Sequence, residues 1–455
     1  MSRDPLGLDR QRLSALRKAE TERFHARTAK SRSLLASAKA HMPCGVPMGW
    51  MAGLYRHPPI YVTGGAGAHF EDVDDNQYLD MNQADLSMNC GFGPPAVTAA
   101  VAARMTSGSQ FLLPTEDAIA VSEDLAARFG LPHWQYTLSA SSANQEAIRL
   151  ARVATGRAKI LLFDGHYHGH IDDTLVTLDG DAAAPLFLGL PRKAAENTVI
   201  IQLNDSDALA AALESETFAC VITEPALTNI GVVLPDEGFL DLVRTETRRH
   251  GSLLIYDETH THMAAYGGLT RDWTLEADMV TLGKSLGGGV AIGAYGMTND
   301  LARVMEDNLD IDIAETGGLA TGGTMYANAL SLAAARAALE QILTPENYEQ
   351  TRQLGTRLAD GIDALIAQHK LPWRAHRLGG RSGFCLQPDW PRNAREAAVS
   401  IDAEWIDTRR LFLANRGIWE AIATAGPTAS FAHTAADIDT YLAVLGAFLE
   451  AVHGG

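Results

Sequence analysis

Ser252-Leu-Leu-Ile-Tyr-Asp257-Glu258 and, further on, Met279-Val-Thr-Leu-Gly-Lys284-Ser-Leu-Gly-Gly-Gly289 decide how the rest of the chain is read. Both open on short apolar runs bounded by glycine and charge, the pattern of strands buried in a parallel sheet. The segment between them, Ala264 to Glu276, has about the length of a crossover, so Asp257 and Lys284 are expected at the carboxyl ends of neighbouring strands, where α/β sheets hold ligands. A partly desolvated lysine there has a lowered pKa and condenses with aldehydes. A buried carboxylate facing a pyridine nitrogen keeps that nitrogen protonated. Together the pair points to pyridoxal phosphate, set against the plainer reading of a helix-capping Asp and a solvated Lys.

Working outward, helix and strand alternate from about Pro95 to Gly296. Strands are predicted at Tyr136–Leu138, Lys159–Phe163, Thr198–Gln202, Ala219–Thr223, Ser252–Tyr256, Met279–Leu282 and Ile292–Tyr295. Seven strands with helices between them predict an α/β fold, a mostly parallel seven-stranded sheet with helices on both faces. Beyond Asn328 an alanine-rich helix (Ala329 to Leu343) leads into a mixed segment with strands near Gly383–Leu386 and Ala429–Phe431 and a closing helix from Ala436 to Val452. The expected organisation is an N-terminal helical segment (1–42), the first part of a small domain (43–85), a large α/β domain (86–328) and a C-terminal small α+β domain (329–455).

With 455 residues and 46% hydrophobic content there is ample core for both domains. The net charge of −18 argues against nucleic acid or an anionic membrane as a partner. Four scattered cysteines show neither a disulfide framework nor a thiolate metal site, which predicts a reducing, cytoplasmic setting. The N-terminal stretch to Lys39 is charged and helical in pattern, with no signal-type apolar region and no membrane-length apolar run. Asp72-Val-Asp74-Asp-Asn76 resembles the start of a calcium loop, but Gln77 and Gln83 stand where that loop needs glycine and glutamate. A hairpin turn is the expectation there.

Two strand-end turns carry further chemistry. Ser139-Ala-Ser-Ser-Ala-Asn144 opens a helix that Gly156 should end, and its hydroxyls, free N–H groups and helix dipole suit a phosphate. Taken alone, the turn reads more simply as an ordinary N-cap at Ser141 or Ser142. Asp164-Gly-His166-Tyr167-His168-Gly-His170, with His260 and His262, invites a metal and hence a metal-dependent hydrolase. No carboxylate is spaced to complete such a site, and an aromatic ring at a strand end also stacks on a planar cofactor.

These motifs, with Asp257-Glu-Thr, Thr-Leu-Gly-Lys284, Glu224-Pro, Asn229 and Gly323-Thr324 before Asn328, resemble the class III aminotransferases of pyridoxal-phosphate fold type I, nearest the glutamate-1-semialdehyde aminomutase-like branch. The resemblance runs from about Pro43 to the C-terminus in the family's order and spacing. It implies Lys284 as Schiff-base lysine and proton shuttle, Asp257 as the pyridinium partner and Tyr167 as the ring stacked on the cofactor. It further implies His168 beside the cofactor, Asn229 and Glu224 near the ring hydroxyl, Thr259 in place of a family valine, and Ser139, Ala140 and Ser141 at the phosphate. Thr324 is implied to reach the phosphate of a second subunit, which makes the expected enzyme a homodimer with active sites at the subunit interface.

The departures shape the expected activity. Ala140 and Ser141 replace a Gly-Thr pair, and Ala327-Asn328-Ala329 replaces Gly-Asn-Pro. Met51 stands where the aminomutase has an arginine, so Trp50, Met51 and Asp85 become substrate-side candidates, with Arg56, Arg377 or Arg381 as possible substitutes for the missing cation. The expectation is a ping-pong transaminase acting on small-molecule amines, or amino acids with an apolar or aromatic side, and a keto acid, ketone or aldehyde. An intramolecular aminomutase of the glutamate-1-semialdehyde type needs the same residues and is the alternative; a non-catalytic paralogue fits poorly with Lys284 present.

Overall fold

The structure, a computed structural model, describes residues 4–180, 182–215, 217–309, 318–422, 424 and 426–453. The chain divides into two compact units, one of residues 1–94, 350–390 and 398–455 and a larger one of residues 95–349 and 391–397.

The larger unit is built on a seven-stranded sheet: β1 (His133–Thr137), β2 (Lys159–Phe163), β3 (Thr198–Ile201), β4 (Phe218–Thr223), β5 (Leu253–Asp257), β6 (Met279–Leu282) and β7 (Gly293–Met297), in the order β1-β7-β6-β5-β4-β2-β3. Only β7 runs against its neighbours, pairing antiparallel with both β6 and β1. Every residue of β4 and β6 is buried, as expected of strands covered on both faces. β5 and β6 are parallel neighbours, with Asp257 beside Thr281. The predicted α/β class and all seven strands are present, each within a few residues of its expected ends.

The helix Ala329–Gln341, expected in the small domain, instead belongs to this unit. Its buried alanines allow close approach to helices Pro95–Ser107 and Glu116–Phe129. Ala327, just before it, sits in the left-handed region (φ 50°), the conformation a glycine would adopt freely.

The smaller unit has a sheet of Val62–Ala66, His69–Asp72 and Gln77–Asp80, antiparallel, to which Ile418–Trp419 adds in parallel. Its core gathers Trp405, Tyr441, Leu445, Phe448 and Leu358. At its centre Arg409 is paired to Glu420 at 2.8 Å, both side chains almost wholly buried, and Tyr441 donates to the same carboxylate. The expected hairpin turn at Asp72 is present, with that carboxylate accepting from the N–H groups of Asp74 and Asn76. The single N-terminal helix is instead two, Arg10–Arg27 and Ala29–Ala38, parted at Thr28. No strand forms at Ala429–Phe431, because successive N–H groups donate to different segments, Ala429 to Gly380 and Phe431 to Asn89. Among the described residues no helix is long and apolar enough to cross a membrane.

Candidate active site

The carboxyl ends of β1, β2, β4, β5 and β6 share one edge of the sheet, and each is followed by a turn carrying one of the residues singled out above. After β1, Ser139 caps the helix Ala140–Thr155, its hydroxyl accepting from the N–H of Ser142 at 3.2 Å, and Gly156 ends that helix in the left-handed region. The cap expected at Ser141 or Ser142 is instead Ser139, whereas Ser141 turns to the loop after β2, its hydroxyl accepting from the N–H of His170. Ala140 lies within the helix and outside the left-handed region, so the loss of a glycine there causes no strain.

The turns press on one another. A Cβ on Gly169 would lie 2.1 Å from the Ser141 hydroxyl, and one on Gly283 would lie 2.8 Å from the Ala140 Cβ. Only glycine permits those approaches, and they bring the β2 loop and the lysine-bearing turn against the start of the helix. Lys284, two residues past β6, opens a short 3-10 turn with φ 49°. A non-glycine residue held in that region costs about 1 kcal/mol or more, a cost met mostly at functional positions.

Asp257 ends β5 and is 2% exposed. One oxygen accepts from Asn144 Nδ2 at 2.7 Å and faces His168 Nδ1 at 2.8 Å. The other accepts from the N–H and hydroxyl of Thr259, at 3.0 and 2.5 Å. Burial would raise this carboxyl, but the hydrogen bond and charge of His168 and the two donors of Thr259 hold it below the usual carboxylate range. Asn144 is itself fixed by the hydroxyl of Thr281, on the neighbouring strand, and donates to the carbonyl of His168. Neither Asn144 nor Thr281 was predicted as part of the site. Their only sequence signal is that Asn144 closes the hydroxyl-rich turn.

In the β2 loop Tyr167 is 39% exposed, between glycines at φ 83° and 95°. The neighbouring histidines are engaged elsewhere. The ring nitrogens of His166 lie 2.6 and 2.7 Å from the carbonyl oxygens of Phe163 and Thr174, burial pushes its pKa down to about 4, and His168 turns to Asp257. Among the described residues no group of His, Cys, Asp and Glu is arranged to hold a metal ion.

After β4, Glu224 is 3% exposed. It accepts from Asn229 Nδ2 at 2.9 Å, from the N–H of Thr228 at 3.1 Å and from the Thr228 hydroxyl. Burial still pushes it up to about 7, with the charge of Asp257 adding to the effect. Thr324 is exposed, and its carbonyl accepts from Gln110.

The substrate-side candidates lie in the smaller unit. Trp50 and Met51 are exposed, 52% and 40%, on the short helix Gly49–Gly53. Asp85 is part of a run of left-handed residues from Gln83 to Leu86, tied down by the buried Asp80 through the N–H groups of Asn82, Gln83 and Ala84. Of the substitute cations, Arg56 pairs with Asp407 and Arg377 with Asp360 and Asp363, and Arg381 is buried.

A sequence model of the family Aminotransferase class-III matches residues 51–398. A glutamate-1-semialdehyde 2,1-aminomutase from Chloroflexus aggregans is 35% identical over 450 residues, 94% of this chain and 99% of the relative. The crystal structure of a glutamate-1-semialdehyde-aminomutase from Pseudomonas aeruginosa PAO1 in complex with PMP superposes with TM-score 0.93 at 33% identity, covering 98% of this chain and all of that one. A beta-phenylalanine aminotransferase from Variovorax paradoxus superposes with TM-score 0.85 at 25% identity, covering 96% of this chain and 97% of the other.

Proposed function

Because the chain belongs to the class III aminotransferase family, we propose that the strand-end cluster of its larger unit is a pyridoxal-phosphate site at which an amino group is exchanged on a small amine or amino acid. The observation that carries this is the buried, ionised Asp257 on the strand adjoining the one that leads to Lys284. When bound, pyridoxal phosphate supplies an aldehyde that condenses with amines and a pyridinium that accepts electrons from the carbon losing its proton.

The residues present fit that group. Asp257 offers an anion, and although four donors already converge on it, the Thr259 hydroxyl needs only to rotate to free a lone pair for a ring N–H. Ser139, Ala140 and Ser141 offer a helix N-terminus and hydroxyls to a phosphate. Tyr167 is an exposed ring able to cover a flat face, and Asn229 and Glu224 lie at the neighbouring strand end. With the group bound, Lys284 would be the amine that condenses with its aldehyde, and once free it would be the base that takes the substrate's carbon proton and gives it back. Thr324, exposed in a single chain, is assigned to the site of a second copy, which makes the working unit a homodimer.

Two versions of the exchange use this machinery. The similarity to glutamate-1-semialdehyde aminomutases over nearly the full chain supports intramolecular exchange on a substrate of that type. The expectation of intermolecular transamination ranks second, and Met51, apolar where the aminomutase has an arginine, favours it together with its neighbour Trp50. A fixed guanidinium gives a carboxylate two parallel hydrogen bonds, whereas these side chains offer apolar area worth roughly 25 cal/mol per Å2 buried.

Two measurements decide. Borohydride reduction of the yellow holoenzyme followed by peptide mapping should find the adduct on Lys284, and Lys284→Ala should keep the cofactor but lose about 10^4-fold or more in turnover; an adduct on another lysine overturns the site. Incubation with glutamate-1-semialdehyde without any acceptor should give the rearranged product. If only an added keto acid or aldehyde permits turnover, and aryl-alkyl amines give the higher kcat/KM, the transaminase reading holds.

A further inference from the structure

Thr228 carries a single hydroxyl hydrogen, yet its Oγ1 bridges two titratable groups. It contacts Glu224 Oε2 on one side and lies 2.7 Å from His260 Nδ1 on the other. Glu224 directly follows β4 and is sealed from solvent, whereas His260, three residues past the end of β5, is only half-buried. A hydroxyl between a carboxyl and an imidazole has two consistent arrangements. If Glu224 is ionised, Thr228 donates to it and His260 Nδ1–H donates to Thr228. If Glu224 is protonated, it donates to Thr228, which donates to an unprotonated Nδ1.

We infer that Glu224, Thr228 and His260 form a proton relay through which the buried carboxyl exchanges its proton with the surroundings, and that Thr228 and His260 are positioning residues setting the charge of Glu224. The relay balances. A proton added at His260 Nε2 is matched by loss of the Nδ1 proton to Thr228 Oγ1, which passes its own hydrogen to Glu224 Oε2. One N–H and one O–H bond break, one N–H and two O–H bonds form; the added proton stays on Nε2, the hydroxyl hydrogen of Thr228 moves to the carboxyl, and the net gain of one proton falls on Glu224. The chemistry calls for such a route, because Glu224 is pushed up to about 7 and so changes charge near neutrality while lying 3% exposed. The titratable groups facing it are His168 from the β2 loop and Asp257 from the end of β5, with His260 through the bridge. Asn229 and the Thr228 N–H are fixed donors that move no proton to solvent.

The inference that this charge matters to the cofactor rests on the proposed function; the relay itself does not. The test is the pH titration of the His260 ring by NMR in the holoenzyme, together with the pH dependence of the visible absorbance, in wild type, Thr228→Val, Thr228→Ser and Glu224→Gln. Coupled groups titrate as a pair, so Thr228→Val and Glu224→Gln should each move the His260 midpoint by about one pH unit, Thr228→Ser should restore it, and the absorbance midpoint should move in step. A His260 midpoint unchanged in both Thr228→Val and Glu224→Gln overturns the relay. A midpoint that moves while the absorbance curve stays fixed overturns the assigned influence on the cofactor. A protein with no visible absorbance refutes the proposed function instead, and the NMR comparison still decides the relay.

Discussion

Asp257 ends β5 and Glu224 directly follows the neighbouring β4; they are 2% and 3% exposed, and yet their pKa values are driven in opposite directions. Equal burial penalises both anions, so desolvation does not separate them. The partners do. Asp257 has an imidazole directly against one oxygen, with an amide, a backbone N–H and a hydroxyl besides. Glu224 has one amide, one N–H and a hydroxyl shared with His260, and it sits in the field of the Asp257 charge. The site thus holds one fixed anion and one adjustable carboxyl, the separation of roles that acid–base sites build from paired groups.

The strongest way to break this contrast is Asp257→Asn. Losing a sheltered charge aimed at the developing transition state should lower turnover roughly 10^2- to 10^3-fold, while the fold persists because Asn144 keeps the Thr281 hydroxyl and the His168 carbonyl as partners. In the same variant Glu224 should ionise at lower pH, since a neighbouring anion is gone; a pH–absorbance curve unmoved by the substitution would mean that the two carboxyls are not coupled.

Glu224→Gln probes the other end. The folded-state pKa of Glu224, about 7, lies above its ordinary 4.5, so its bound proton stabilises the fold at low pH and that stability is lost as pH rises from 4.5 toward 7. Glutamine has no such dependence. Urea midpoints measured across this window should shift in favour of the variant by a total of about 3 kcal/mol relative to wild type. Asp257 works in the opposite sense: its depressed value gives stability that is present above about pH 4 and lost as the pH falls further. A difference curve that is flat between 4.5 and 7 would return Glu224 to an ordinary carboxylate.

The smallest effect sharpens the donor argument. Thr259→Val removes one hydroxyl from Asp257 and leaves the backbone N–H. A hydrogen bond to a charged group contributes about 1.5–3 kcal/mol, but cofactor binding already asks that hydroxyl to turn aside. The variant should therefore bind pyridoxal phosphate within a few-fold of wild type and lose stability mainly in its cofactor-free form, as calorimetry with and without the cofactor would show.

What was legible beforehand follows from the range over which each interaction acts. Asp257 and Lys284 could be paired from sequence because each ends an apolar run and β5 and β6 are joined by one short crossover, so neighbouring strands and neighbouring residues coincide. Glycines with positive φ at 156, 165 and 169 marked real turns. The extent of the small domain was harder to read, since the strand expected at Ala429–Phe431 depends on whether one continuous partner lies alongside, and none does.

The sequence by itself determined the alternation of strands and helices, the parallel sheet, and the residue types waiting at its carboxyl edge, because buried-strand hydrophobicity and glycine-bounded turns are local properties. Tertiary structure alone decided that Asn144 reaches Asp257 across 113 residues, that Thr281 locks Asn144, and that Thr228 stands between Glu224 and His260. Those contacts set the charge of each carboxyl. They arise only when strands distant in sequence become adjacent, and the strength of a hydrogen bond or a charge depends on distances and burial that no residue carries alone.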